Sequence, residues 1–208
     1  MILSDIQIRD RVENFKKYQM SSPLITPFLE KRLQGASYDC TISKEIISFH
    51  NIHDTVDLKD SLSIEAAYQQ TEIDEKMGFT ILPDEYVLLT LNETFYIPKD
   101  LTAHLRPKTR FIRLGLMMSG QHINPESICK LNIGIHNISP NPIKIYNDIS
   151  IAQIVFEEMK TVPSDNKLYK TKPDANYSQD IDFVGARTTD EFDSVVGREM
   201  QKILRGKK

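Results

Sequence analysis

Cysteine is scarce in this chain: Cys40 and Cys129 are the two in 208 residues, far apart and outside any CxxC spacing. That excludes a disulfide scaffold and fits a reducing, cytoplasmic compartment. No apolar run approaches the roughly 18 residues that a membrane span needs. The opening MILSDIQIRDRV breaks its short apolar start with charges, so it does not read as a signal peptide. An excess of positive charge is missing too. With 26 Lys+Arg against 29 Asp+Glu the net charge is −3, which leaves no broad basic surface for nucleic acid. Internal repeats and low-complexity tracts are absent. What remains is an ordinary globular composition, 40% hydrophobic and 26% charged, long enough to bury a real core. The expectation is a soluble cytoplasmic protein with neither a membrane nor a nucleic-acid partner.

A short amphipathic helix is expected over residues 4–18. Ser4 and Gln7 have the spacing of a capping box, and Ile6, Ile8, Val12 and Phe15 fall at helical intervals. Two prolines then lead through Gly35 into a strand over Ser37–Ser43. Residues 44–58 carry another alternating run: Ile46, Ile47, Phe49, Ile52 and Val56. Within that run FHNIHD holds His50, His53 and Asp54, whose spacing matches no metal pattern and reads as an exposed turn. Residues 59–76, with five acidic residues and two glutamines, read as a surface excursion.

From Gly78 onward the pattern is plainly β. GFTILP, EYVLLTLNETFYIP and LTAHLRP are runs of β-branched and aromatic residues, each closed by proline. NISPNPIKIYNDISIAQIVF supplies two more strands joined by an Asn-Asp turn. Many short strands between turn signals imply one all-β, jelly-roll-like domain over residues 1–165. A polar tail over 166–185 follows. The chain then ends in a helix over 186–208, capped by Thr188 and Glu191. Its apolar face (Phe192, Val195, Val196, Met200, Ile203, Leu204) needs a partner, either the barrel or another subunit.

Functional signals concentrate between Arg106 and Phe156. There RPKTRFIRLGL, QHINPE, LNIGIHNIS and IAQIVF follow one another. They lie behind the opening MILSDIQI, the strand GASYDCTI and ETFYIPKDL, and ahead of LYKTKPDANYSQ. In that ordered set the chain resembles the dCTP deaminase/dUTPase superfamily, and most of all its dCTP deaminase branch, over about residues 1–180. The resemblance implies a distorted jelly roll, or β-clip barrel, with short flanking helices. It implies assembly as a homotrimer with nucleotide sites between subunits. In such sites a cationic, Ser-rich turn grips the triphosphate through backbone N–H groups and an Arg. A hairpin turn recognises the deoxyribose and the pyrimidine. In the deaminase branch a Glu on the following strand activates water for attack on the ring, without zinc. In the dUTPase branch an Asp of the hairpin turn positions water near the α-phosphate, with Mg²⁺ bridging the phosphates.

Carried over residue by residue, the resemblance is uneven. Where the family reads Gly-Arg-Ser-Ser, this chain reads Pro107-Lys108-Thr109-Arg110, keeping charge and one hydroxyl. Arg113 matches an Arg that orders the deaminase site. The family turn Ile-Asp-Pro-Gly is here Ile123-Asn124-Pro125-Glu126, so an amide stands for a carboxylate and the small glycine is gone. The deaminase Glu falls on Gly134, in a strand that also carries Asn132. In the tail Tyr169 matches a nucleotide-contacting Tyr, Asn176 stands at a Lys position, and Gln179 lies near the tail Gln.

The ligand-binding candidates are therefore Lys108, Thr109, Arg110, Arg113, Asn124, Asn132, Tyr169, Asn176 and Gln179, for dCTP, dUTP or dTTP with Mg²⁺ arriving on the phosphates. No metal site of the protein's own is expected. Glu126, His122 and Arg113 are the candidates for catalysis if a displaced base operates. The expected reading is a nucleotide binder of this fold with the usual catalysis impaired or lost. Its alternatives are an active dCTP deaminase or dUTP diphosphatase with a relocated base, and a trimeric jelly-roll interaction protein without ligand. Each residue has a plainer reading as well: a solvated basic strand edge for Lys108, Arg110 and Arg113, good turn chemistry for Asn124-Pro125, small buried hydrophobes for both cysteines, and a bulge or space-maker for Gly134.

Overall fold

The computed structural model describes residues 1–49, 55–171, 177, 181–183 and 185–187. Those residues fall into two compact units, one built from residues 1–48 and 70–183, the other from residues 49–69 and 184–208. In chain order the elements are α1 (Asp5–Glu13), β1 (Ile25–Thr26), β2 (Leu33–Gln34), β3 (Ser37–Phe49), α2 (Ser61–Ala66), β4 (Tyr68–Glu72), β5 (Phe79–Ile81), β6 (Tyr86–Tyr96) and β7 (Leu101–Pro107). They continue with α3 (Thr109–Ile112), β8 (Leu116–Met118), β9 (Gln121–Ile123), β10 (Ile128–Asn137), β11 (Ile143–Ile145) and β12 (Ser150–Glu158). The main sheet runs β8-β10-β6-β3-β12-β7-β9, and β5 pairs β11 separately. The sheet curls into a half-barrel.

Period-two alternation explains which face of this curled sheet turns inward. On β6, Val87, Leu89, Leu91 and Phe95 are fully buried, and on β7, Leu101, Ala103 and Leu105 are. They meet Tyr38, Ile42, Ile133, Ile135, Ile154 and Phe156 in one core. Glu93 sits in the same inward row of β6, with no exposed surface. It survives there because Thr41 donates both its N–H and its hydroxyl to the carboxylate at 3.0 Å, and Arg32 Nη1 approaches at 3.0 Å. Burial pushes the Glu93 carboxyl upward, and the Thr41 and Arg32 contacts oppose that rise.

The N-terminal helix is shorter than its periodicity implies. It ends at Glu13, and a 3₁₀ turn over Phe15–Tyr18 follows. Gln7 Oε1 accepts the Ser4 N–H at 3.0 Å, as the cap spacing requires. Ile6, however, faces solvent at 69% exposure, while Ile8 and Val12 are buried. Arg11 takes the remaining inward position and meets Asp100 bidentately at 3.1 and 2.6 Å, which ties α1 to the β6–β7 connection.

Two strand boundaries also differ from expectation. Ser37–Ser43 and the run after it form one thirteen-residue strand, which passes through an irregularity where Ile42 faces Leu91 but Ile46 faces Leu89. That run does not extend to residue 58: β3 ends at Phe49, residues 55–60 lie outside any strand, and the FHNIHD positions 50–54 lie outside the described residues. The acidic 59–76 stretch is structured. Asp60 caps α2 by accepting the Leu62 N–H at 3.0 Å, and β4 joins β3. Within the second unit Phe49 and Tyr68 rings lie 5.4 Å apart, and the Tyr68 hydroxyl accepts the Ala186 N–H at 3.2 Å. The helix expected over 186–208 lies almost wholly outside the described residues. Among the described residues no helix is long and apolar enough to cross a membrane.

Candidate functional site

The cationic turn is a short helix. After β7 ends at Pro107, the Lys108 N–H bonds the Ile151 carbonyl at 3.2 Å, and α3 begins with Lys108 as its cap residue and Phe111 buried beneath. Two of the three basic side chains here are occupied. Lys108 Nζ is paired with Asp39, a carboxylate that is 8% exposed, and Gln34 Nε2 reaches the same Oδ2 at 3.4 Å. Arg110 folds back onto the Ser150 carbonyl and over the Phe111 ring. Thr109 and Arg113 differ: both are exposed and, among the described residues, neither side chain has a partner. Arg113 is thus the cation of this cluster left for an anion.

Behind α3 the chain turns at Gly115, whose φ of 86° belongs to glycine, and where a Cβ would stand 2.8 Å from that of Ser139. That turn delivers β8 to β10, pairing Met117 with His136.

The turn Ile123–Glu126 leads from β9, which pairs β7, to β10, which pairs β6 and β8, so it is a crossover between the two ends of the sheet path and not the hairpin expected there. Its last residue, Glu126, adopts φ 61°, so a non-glycine carries the left-handed step. The Ser127 hydroxyl donates to the Asn124 backbone carbonyl, and the half-buried Asn124 side-chain amide has no partner among the described residues. Glu126 Oε1 lies 3.8 Å from Lys99 Nζ, while its Oε2 is buried and has no partner among the described residues. The tail arrives at this turn, where the Tyr169 N–H donates to the Pro125 carbonyl at 3.1 Å beside the buried Leu168. The Tyr169 hydroxyl accepts the Tyr177 N–H at 3.3 Å. Asn124, Glu126 and Tyr169 are therefore brought together, and Asn176 and Gln179 lie outside the described residues.

His122 goes elsewhere. Side chains alternate along β9, so Gln121 turns to β10, donating to the Asn132 carbonyl at 2.6 Å, while His122 turns to the other face. There it meets His104 across the β7–β9 pair, with ring centroids 5.0 Å apart, and His104 Nε2 is 3.6 Å from Glu157. Asn132 itself is partly engaged, its Oδ1 accepting the Thr90 hydroxyl at 2.7 Å.

Gly134 is held on both sides of its peptide. Its N–H donates to Ser119 Oγ and its carbonyl accepts the Ser119 N–H, each at 2.9 Å. It is not at the irregularity of its strand, which lies between Lys130 and Asn132. It is instead a space-maker for Tyr86. A Cβ at position 134 would stand 2.6 Å from Tyr86 Cζ, and nearer still to the hydroxyl. Sequence reading passed over Tyr86, because its relation to Gly134 depends on the register of β6 against β10, which neither strand states alone. Both cysteines are buried, and burial pushes the Cys129 thiol up to about 12.

Comparison with known proteins places these residues in a family. The dCTP deaminase-like family model matches residues 2–159. A dUMP-forming dCTP deaminase of Methanothermobacter thermautotrophicus is 32% identical over 187 residues, covering 88% of this chain and 89% of that protein. A dCTP deaminase of Nautilia profundicola is 31% identical over 164 residues, 74% of this chain and 82% of its own. Among solved structures, the 2'-deoxycytidine 5'-triphosphate deaminase from Agrobacterium tumefaciens superposes with a TM-score of 0.59 at 16% identity. It covers 76% of this chain, and the chain spans about half, 48%, of its length. That likeness bears on the fold, a jelly roll of the same kind.

Proposed function

The chain belongs to the dCTP deaminase-like family, and from that premise we propose that it binds a pyrimidine deoxynucleoside triphosphate (dCTP, dUTP or dTTP) between the subunits of a homotrimer, with the usual catalysis impaired or lost. The observation that carries this reading is the pair Gly134 and Asn124, standing where the resemblance puts the two water-activating carboxylates. On the cationic turn Arg113 and Thr109 remain exposed and unpartnered among the described residues. An exposed guanidinium at the C-terminal cap of α3, four positions after the exposed hydroxyl that opens the helix, suits a phosphate chain. Without a carboxylate in reach of the bound water, the loss amounts to roughly 10²–10⁴-fold in rate from that group alone. Its role is then sensing, sequestering or scaffolding in the cytoplasm.

Among the described residues no group of three or more His, Cys, Asp or Glu side chains gathers to hold a metal. The donors at this site are cationic and amide groups, which fit a Mg²⁺ that comes already bound to the phosphates. Calorimetry with each of the three nucleotides in the presence of Mg²⁺ tests the reading. Micromolar binding without product by chromatography is the expected result, and failure to bind any of them removes it.

One observation favours a second reading, an active dCTP deaminase or dUTP diphosphatase. Glu126 Oε2 is buried, has no partner among the described residues, and lies on the β9–β10 turn that also carries Asn124, where a relocated base would be useful. Turnover that disappears in Glu126→Gln, with nucleotide affinity retained, would select this reading over the first.

A further inference from the structure

The least expected feature of the candidate site is what covers Gly134. In the β6–β10 register Leu88 faces Gly134 and Tyr86 faces His136, so Tyr86 is the diagonal neighbour of Gly134 on the same face. Its ring leans along that diagonal until the phenolic end lies over the glycine. A Cβ at 134 would be 2.6 Å from Cζ and 2.9 Å from Cε2 of Tyr86, closer than real side chains approach. The glycine cannot step away, because Ser119 holds its peptide from both sides at 2.9 Å. The ring is nevertheless 43% exposed, so it presents surface outward as well as covering the strand. One pair further along the same face are Asn132 and Thr90.

We propose that Tyr86 decides what this face can do: its phenol occupies the side-chain space of position 134, bars an ionisable group there, and contacts the base of the bound pyrimidine nucleotide. The contact half of this inference rests on the nucleotide reading above. A phenol donates and accepts hydrogen bonds but is a poor base near neutral pH, so it suits holding an amide-like base edge and does not suit activating water. The plainer role, an aromatic ring shielding a strand glycine, accounts for the packing without any ligand. The two roles therefore need separate measurements.

For the packing, Gly134→Ala, Tyr86→Ala and the double variant are compared by thermal melting at one protein concentration. Gly134→Ala is expected to lower the melting temperature by about 5 °C with Tyr86 present and to have little effect once Tyr86 is alanine. Equal effects in both backgrounds would overturn the exclusion. For the ligand, Tyr86→Phe keeps the ring and removes the hydroxyl. It is expected to weaken binding of dCTP, dUTP or dTTP about five- to tenfold by calorimetry. Unchanged affinity would reduce Tyr86 to packing alone. If the parent protein binds none of the three, both the nucleotide reading and the contact fall, while the melting comparison still judges the exclusion.

Discussion

Removing the Arg32 guanidinium should destabilise the fold in a strongly pH-dependent way. Glu93 lies in the core-facing row of β6 with no exposed surface, and the Arg32 side chain is 16% exposed. Truncating one partner of a buried pair typically costs about 3–5 kcal/mol, because the other charge is left stranded. Two features place Arg32→Ala toward the lower end. Thr41 still gives the carboxylate its N–H and hydroxyl, each at 3.0 Å, and Arg32 is not wholly dry. A cost of about 3 kcal/mol at pH 7.5 corresponds to roughly 6–12 °C in melting temperature for a chain of this size.

The pH dependence follows from the direction of the Glu93 shift. Burial raises its carboxyl pKa above the ordinary value, so the folded state holds the proton more tightly than the unfolded chain does. The contribution to stability is greatest below the ordinary carboxyl range and is lost as the pH climbs through the raised value. Removing Arg32 takes away one of the contacts opposing that rise, so the window widens. Every tenfold gain in proton affinity is worth about 1.4 kcal/mol. Urea midpoints at fixed protein concentration should therefore show Arg32→Ala costing more at pH 7.5 than at pH 5. Arg32→Met with Glu93→Gln, which removes both charges and keeps an acceptor for Thr41, should cost less than the single change and be insensitive to pH. Equal costs of Arg32→Ala at the two pH values would refute the reasoning.

Arg113→Ala should leave the melting temperature within about 1 °C and weaken nucleotide binding by roughly tenfold or more, since an exposed guanidinium with no partner among the described residues contributes to ligand and not to fold. Lys108→Ala should do the reverse in calorimetry and melting, costing about 2–3 kcal/mol of stability because Asp39 loses its buried counter-charge. Glu126→Gly should stabilise by about 0.5–1 kcal/mol in urea titration, because glycine adopts φ 61° without strain while the 3.8 Å contact to Lys99 is weak; a lower midpoint would contradict this. Both thiols should resist a chromogenic disulfide reagent in the native protein and react once it is unfolded, with burial holding Cys129 at about 12.

Local pattern was enough for some of this fold and insufficient for the rest. β6, β7 and β12 were legible because their alternation is clean and turn residues close them. β3 was not, because Ser37, Asp39, Thr41 and Ser43 are polar yet buried, and Lys44–Glu45 turn outward at the irregularity. That is the composition of two strands with a break between them, and only pairing with Leu89 and Leu91 across on β6 makes it one. Ile6 misled in the opposite direction: two positions from Ile8 it falls on the other side of the helix, and the face of α1 that packs is completed by Arg11 reaching Asp100. A buried ion pair is invisible to a hydrophobic count.

The site divides along the same line. Residue types in the cationic turn announced charge but not which charge is available. Lys108 and Arg113 look equivalent in sequence, and what separates them is Asp39, 69 positions upstream of Lys108, brought beside it by the sheet. Of the cluster, Arg113 keeps an exposed guanidinium with no partner among the described residues, and Lys108 is paired with Asp39. Position 134 follows the same logic with the sign reversed. In sequence the glycine stands where the resemblance puts a carboxylate, as if a single substitution would restore it. In the folded chain the space is already taken by Tyr86, held against a peptide that Ser119 fixes on both sides. Restoring a carboxylate there therefore requires two changes, and Gly134→Glu alone should yield a destabilised protein and not a deaminase.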